Sequence, residues 1–231
     1  MMTNTEFASR LTDVATKYKT LYVLGGIGAP LNATNKVRFT NNYPYNKGRA
    51  DMIAKASDDT FAFDCVCLIK SILWGWNGDV NKVYGGAKYA SNGVPDISAD
   101  AMITYCKNVS TNFSDITVGE MVWMPGHVGV YIGNGLAVEC TPAWANGVQI
   151  TACNCAKKGY NRLNWVKHGK LPYVKYTLES GEDIINELIK GKHKVVINEV
   201  DRAVRAVNNA KNHPDFYSLY WILYKLVNGN G

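Results

Sequence analysis

Asp64-Cys65-Val66-Cys67-Leu68-Ile69-Lys70 is the stretch from which the rest of the chain is read. Asp64 is a good N-cap, because its carboxylate can accept a hydrogen bond from a first-turn amide that has no partner inside the helix. Val66, Leu68, Ile69, Ile72, Leu73, Trp74 and Trp76 put apolar residues on nearly every side, so the helix is predicted to lie in a core. Gly75 and Gly78 end it. Cys65 falls in the first turn, where free amides and the macrodipole favour a thiolate. Cys67, two residues further in, is expected to point into packing. A buried cysteine by itself is an ordinary core residue, so the chemistry of Cys65 depends on a partner.

That partner stands in Gly126-His127-Val128-Gly129-Val130-Tyr131-Ile132-Gly133, an alternating strand that opens on a histidine. Gly133-Asn134-Gly135 is a tight-hairpin signal, and Leu136-Ala137-Val138 follows as the return strand. Glu139 lies twelve residues after His127 and is expected near the position paired with it, where its carboxylate can hold the second imidazole nitrogen. Nucleophile Cys65, base His127 and orienting Glu139 follow the logic of a catalytic triad built on a thiol.

The remaining sequence supplies a frame. Thr3-Asn4-Thr5-Glu6 reads as a capping box, followed by Phe7, Leu11, Val14, Ala15 and Tyr18 at helical spacing. Leu21 to Leu24 reads as an extended segment ended by Gly25-Gly26. Residues 27–60 show no clear periodicity and are expected to wall a substrate groove, with Tyr43 and Tyr45 among them. Ser98 to Lys107 reads as a short helix. From Thr117 onward the β-prone runs are Met121–Met124, Val128–Ile132, Leu136–Val138 and Val148–Ile150, with Leu171–Tyr176 as a closing edge strand. Helices first and antiparallel strands afterwards predict an α+β domain over residues 1–177, its N-terminal helices packed on a central antiparallel sheet. Residues 178–231 turn helical and charged, a small C-terminal unit open to wall binding, packing or homodimer formation.

Composition narrows the classes. A chain of 231 residues, 47% hydrophobic and 19% charged, suits one generous domain with an appendage. No apolar run of about 18 residues occurs, so no membrane insertion is expected. Met1 to Glu6 carries no basic segment leading into an apolar one, so no signal peptide is visible and a cytoplasmic start is expected. The net charge of +6 is scattered rather than gathered in a block, which favours anionic partners in general and gives nucleic acid no footprint. Six cysteines in two Cys-x-Cys pairs and two singles do not match zinc-ligand spacing, so neither metal nor cofactor is expected.

On these residues the sequence resembles the NlpC/P60 family of cell-wall cysteine peptidases, particularly the kind found in phage endolysins. The family pattern is an aromatic residue before Gly-Gly, then Asp-Cys-Ser-Gly opening a helix, then Gly-His-Val-Gly-Ile-Tyr-Ile-Gly, then a polar residue, usually histidine, on the next strand. The matching stretches are Tyr22-Val23-Leu24-Gly25-Gly26, Asp64-Cys65, Gly126 to Gly133, and Glu139. The resemblance implies a papain-like fold and hydrolysis of an amide bond in the stem peptide of bacterial peptidoglycan. It makes Cys65 the nucleophile, His127 the base and then the acid, Glu139 the orienting residue, and Tyr22 a neighbour that positions substrate or stabilises the oxyanion. The Cys65 amide, at a helix N-terminus, is a further oxyanion donor. Two departures stand out: Val66-Cys67 replaces Ser-Gly, and Glu139 replaces histidine. A carboxylate should raise the basicity of His127 more than a neutral imidazole would, so a thiolate–imidazolium pair is expected. The usual family bond joins D-glutamate to the diamino acid, while some phage members are N-acetylmuramoyl-L-alanine amidases, and the sequence leaves both open. Outside hydrolysis, a thiol acyltransferase and an inactive wall-binding module are the other classes. Lytic chemistry without an export signal fits an endolysin that waits in the cytoplasm and then acts on the wall.

Overall fold

The computed structural model describes residues 1–176, so the helices expected beyond residue 178, and any homodimer contact they make, lie outside the described residues. A short strand β1 (Met2–Thr3) leads into helix α1 (Asn4–Lys17). Thr3 caps α1 by accepting from the Glu6 amide at 3.2 Å. Glu6 does not return the bond, because its carboxylate pairs with Arg10 one turn along. The predicted capping box is therefore half made, an i,i+4 ion pair having taken the carboxylate. Phe7, Leu11 and Val14 are buried, as the spacing requires.

Strands β2 (Thr20–Tyr22) and β3 (Ile27–Pro30) flank β4 (Phe61–Phe63) in a three-stranded sheet ordered β2-β4-β3. Tyr22 pairs with Phe63, which brings the aromatic residue alongside the segment that enters Asp64. Between β3 and β4 run three short helices, α2 (Ala33–Asn42), α3 (Pro44–Lys47) and α4 (Ala50–Lys55). Sequence reading finds no elements there because each helix is held by a single large anchor, Phe39 or Ile53, or by none, which leaves no 3.6-residue stripe. Buried Asn46 ties α3 back to the first segment: it accepts from the Leu24 amide at 3.0 Å and donates to the Leu24 carbonyl at 2.9 Å.

Helix α5 (Cys65–Leu73) is buried at every position, and α6 (Ala99–Tyr105) is capped by Ser98. The main sheet contains β5 (Lys107–Ser110), β6 (Met121–Met124), β7 (His127–Gly133), β8 (Leu136–Thr141), β9 (Gly147–Cys153), β10 (Arg162–Leu163) and β11 (Lys167–Lys170). Its order is β10-β9-β8-β7-β6-β11-β5, antiparallel except where β10 joins β9. One face presents Val128, Val130, Val138, Cys140 and Val148 to the core shared with α1 and α5. Trp165 packs with Val122, Ala137 and Cys153 in a separate cluster. Each fully buried large side chain contributes roughly 1.5–3 kcal/mol, and α5 supplies Leu68, Ile69 and Ile72 to this core. The α+β class and the packing of helices on an antiparallel sheet are as the sequence predicts.

The edge differs from the expectation. Leu171–Tyr176 does not close the main sheet; only β12 (Val174–Lys175) is extended, and it pairs with β1. The neighbour of β6 is β11, Lys-His-Gly-Lys, with β5 outside it. No apolar alternation marks β11, because its buried residues are Gly169 and His168, the latter held by the Glu120 carboxylate and the Asn112 carbonyl.

Candidate active site

Asp64 forms the cap the sequence predicts and does a second job. One carboxylate oxygen accepts from the Cys67 amide at 2.7 Å and the other from the Gly25 amide at 2.8 Å. The tip of α5 and the Gly25-Gly26 loop are thereby fixed to one buried group. Burial raises the Asp64 pKa, while the two amides pull the other way. Gly25 has φ +75°, and a Cβ there would lie 2.5 Å from the Tyr43 ring, so only glycine lets the ring close over the loop.

Cys65 is the first residue of α5, so its amide has no intrahelical acceptor. Its side chain acts on the His127 ring, raising the ring's pKa. The Glu139 carboxylate holds Nε2 of that ring at 2.6 Å, which leaves Nδ1 for the sulfur. Burial works against a charged His127, but the Cys65 and Glu139 contacts outweigh it and push its pKa up to about 9. Cys67 lies in the core, where burial and then the Asp64 charge push its thiol well up. Cys140 is also fully buried and held protonated by burial first. The structure thus brings Cys65, His127 and Glu139 together and keeps Cys67 apart from them.

The route to Glu139 departs from a plain hairpin. The turn pairs Gly133 with Leu136 across Asn134-Gly135, both at positive φ as a tight turn requires. Continued unbroken, that register would put Glu139 opposite Val130, on the wrong face of the strand. A bulge at Ile132 shifts the pairing by one residue, so Glu139 faces Gly129 instead. Gly129 and His127 are two residues apart and share a face. Glu139 is therefore diagonal to His127 rather than directly opposite it, a correction to the expected pairing.

Tyr22 sits beside the nucleophile. Burial, and then the Cys65 and Asp64 charges, raise its phenol so that it remains an O–H donor. Arg49 holds it in place, donating to the Tyr22 carbonyl at 3.0 Å with its guanidinium 5.7 Å from the ring centroid.

Three supports escaped sequence reading. Thr151 donates to the second Glu139 oxygen at 2.6 Å, so both oxygens of a carboxylate only 1% exposed are occupied. The signal was available, since Gln149 and Thr151 alternate as polar residues on β9 beside a buried acid. Trp165 stacks on the His127 ring, centroids 5.3 Å apart and planes 11° from parallel. It comes from a connection without periodicity, and no pattern points to it. Asp100 accepts from the Gly126 amide at 2.8 Å and from the Trp123 indole at 2.9 Å, fixing the turn that precedes His127.

A cleft of about 750 Å³ opens onto Cys65. Arg38, Asn42 and Tyr43 line it, so residues 27–60 do contribute a wall. Among the described residues no group of three His, Cys, Asp or Glu side chains is arranged to hold a metal ion, and no helix is long and apolar enough to cross a membrane. All six cysteines are free thiols.

A cysteine at the tip of a buried helix, docked against an antiparallel sheet that supplies histidine and carboxylate, is a papain-like arrangement. Among solved structures the chain is similar to NlpC1 from Trichomonas vaginalis (14% identity, TM-score 0.39, covering 73% of this chain and 44% of that one). It is also similar to the P60 domain of an M. avium subspecies paratuberculosis antigen (17% identity, TM-score 0.38, covering 72% and 93%). A third is the peptidoglycan hydrolase RipB from Mycobacterium tuberculosis (17% identity, TM-score 0.39, covering 75% and 66%). The chain spans less than half the length of the two Trichomonas vaginalis proteins it matches. No family model and no curated protein matches the sequence.

Proposed function

We propose that the chain is a peptidoglycan hydrolase of the NlpC/P60 kind that cleaves an amide bond of the stem peptide through Cys65. The observation that carries this reading is the His127 ring, held at Nε2 by a buried carboxylate and made more basic by Cys65 as well. His127 takes the thiol proton, and the sulfur attacks the scissile carbonyl carbon. The oxyanion is met by the Cys65 amide and the Tyr22 hydroxyl. Collapse expels the amine, which receives the proton from His127 and leaves a thioester on Cys65. Water then attacks the thioester with His127 as base, releasing the carboxylate and restoring the thiol.

Turbidity loss of purified cell walls, measured for the parent and for Cys65→Ser, tests the reading; equal lysis by both would sink it. The bond we assign is D-glutamyl–diamino acid, and mass spectrometry of the released fragments separates it from muramoyl–L-alanine cleavage. By resemblance we assign it to a phage or prophage endolysin, held in the cytoplasm before it reaches the wall.

A further inference from the structure

We propose that Arg38 reads a free carboxylate on the stem peptide bound in the cleft, an assignment that rests on the hydrolase reading above. The cleft that opens onto Cys65 has two cationic side chains on its walls, Arg38 and Lys70. Lys70 is committed: its ammonium is buried, pairs with Asp96 and donates to the Ile97 carbonyl at 3.1 Å. Asp96 is further held by the Tyr89 hydroxyl at 2.6 Å. Lys36, on the same helix as Arg38, pairs with Asp58.

Arg38 has no such partner among the described residues. Its Nε is buried without a hydrogen-bond acceptor. The guanidinium carbon lies 4.6 Å from the Phe39 ring centroid and 5.5 Å from that of Tyr84. Two aromatic rings therefore hold a guanidinium in place, while no acid among the described residues neutralises it. A buried N–H donor without an acceptor costs free energy until something supplies one. An incoming carboxylate matches the planar fork and gains two charge-assisted bonds from a group whose rotamer is already restricted.

The stem peptide offers such groups. A D-glutamate linked through its side chain leaves its α-carboxylate free, and the following diamino acid carries another. Enzymes built on this contact would favour the acid over the corresponding amide, because a carboxamide gives the fork one acceptor and no charge.

The test uses the full chain and three tripeptides, L-Ala-γ-D-Glu-L-Lys with both carboxylates free, with the D-Glu carboxylate amidated, and with the terminal carboxylate amidated. Loss of a charged pair of bonds corresponds to roughly a 10- to 100-fold change. The parent should lose about that much kcat/KM on one of the amidated peptides, and that peptide names the carboxylate read. Arg38→Gln should raise KM on the free peptide by the same factor, leave kcat near the parent's and abolish the preference. Arg38→Lys keeps the charge and the stem between the rings, and should restore part of the affinity. Titration calorimetry of the free peptide into Cys65→Ala, with and without Arg38→Gln, reads the same contact without turnover. Arg38-dependent binding without cleavage by the parent would keep the subsite and overturn the assignment of the D-glutamyl–diamino acid bond. Cleavage that ignores both amidations and both Arg38 variants would overturn the subsite alone.

Discussion

Replacing Glu139 by glutamine removes one charge from the site while keeping its shape. The amide oxygen can still accept from His127 Nε2, and the new amino group can donate to Thr151, whose hydroxyl accepts as readily as it donates. What is lost is the anion behind the imidazolium. A hydrogen bond to a charged group is worth roughly 1.5–3 kcal/mol against about 1 kcal/mol for a neutral one, so the imidazolium loses about 0.5–2 kcal/mol. At 1.36 kcal/mol per unit this lowers the His127 pKa by about one unit, starting from about 9 in the parent. The alkaline limb of kcat/KM, where His127 stops acting as the acid, should shift downward by that amount, and an NMR titration of the His127 ring should follow it. Glu139→Ala also frees the ring to turn, so it should lose more activity than glutamine does. An alkaline limb that stays in place in both variants would refute the orienting role of Glu139.

Deleting Ile132 removes the bulge and returns the hairpin to the register of its turn, which sends Glu139 to the other face; ring titration should then show the His127 pKa lowered by the loss of the Glu139 contribution, and wall lysis should be lost while circular dichroism keeps the sheet. Gly129→Ala brings a Cβ to 2.8 Å from the Val138 carbonyl and 3.1 Å from the Trp165 ring, and chemical denaturation should show a loss of about 1–3 kcal/mol. Asp64→Ala removes the cap of α5 together with the Gly25 bond, and should cost about 1–2 kcal/mol by the same measurement. The elevated His127 pKa stabilises the fold fully below the unfolded value of 6.5 and less as pH rises through about 9. Melting temperature should therefore fall between those pH values, and fall less in Glu139→Gln.

Cys65, His127 and Glu139 are legible in the sequence because each sits where local rules act: a cap before a buried helix, the start of an alternating strand, and a position past a tight turn. Their mutual contact is less legible. Two-residue hairpin rules alone place Glu139 opposite Val130, and only the bulge at Ile132 puts it on the face of His127. Arg49, Trp165 and Arg38 come from short helices or loops whose burial leaves no periodic trace. Their roles depend on what the tertiary fold sets against them. The same limit hid β11, where a His168–Glu120 pair takes the place of an apolar stripe.

The proposed mechanism runs through a thioester between Cys65 and the stem peptide. Acid quench of the full chain during turnover of a stem-peptide substrate, followed by intact-protein mass spectrometry and peptide mapping, tests it most directly. An adduct of the acyl fragment's mass is expected on Cys65, absent in Cys65→Ser and greatly reduced in His127→Ala. An adduct on another residue, or hydrolysis that persists in Cys65→Ser, would contradict it.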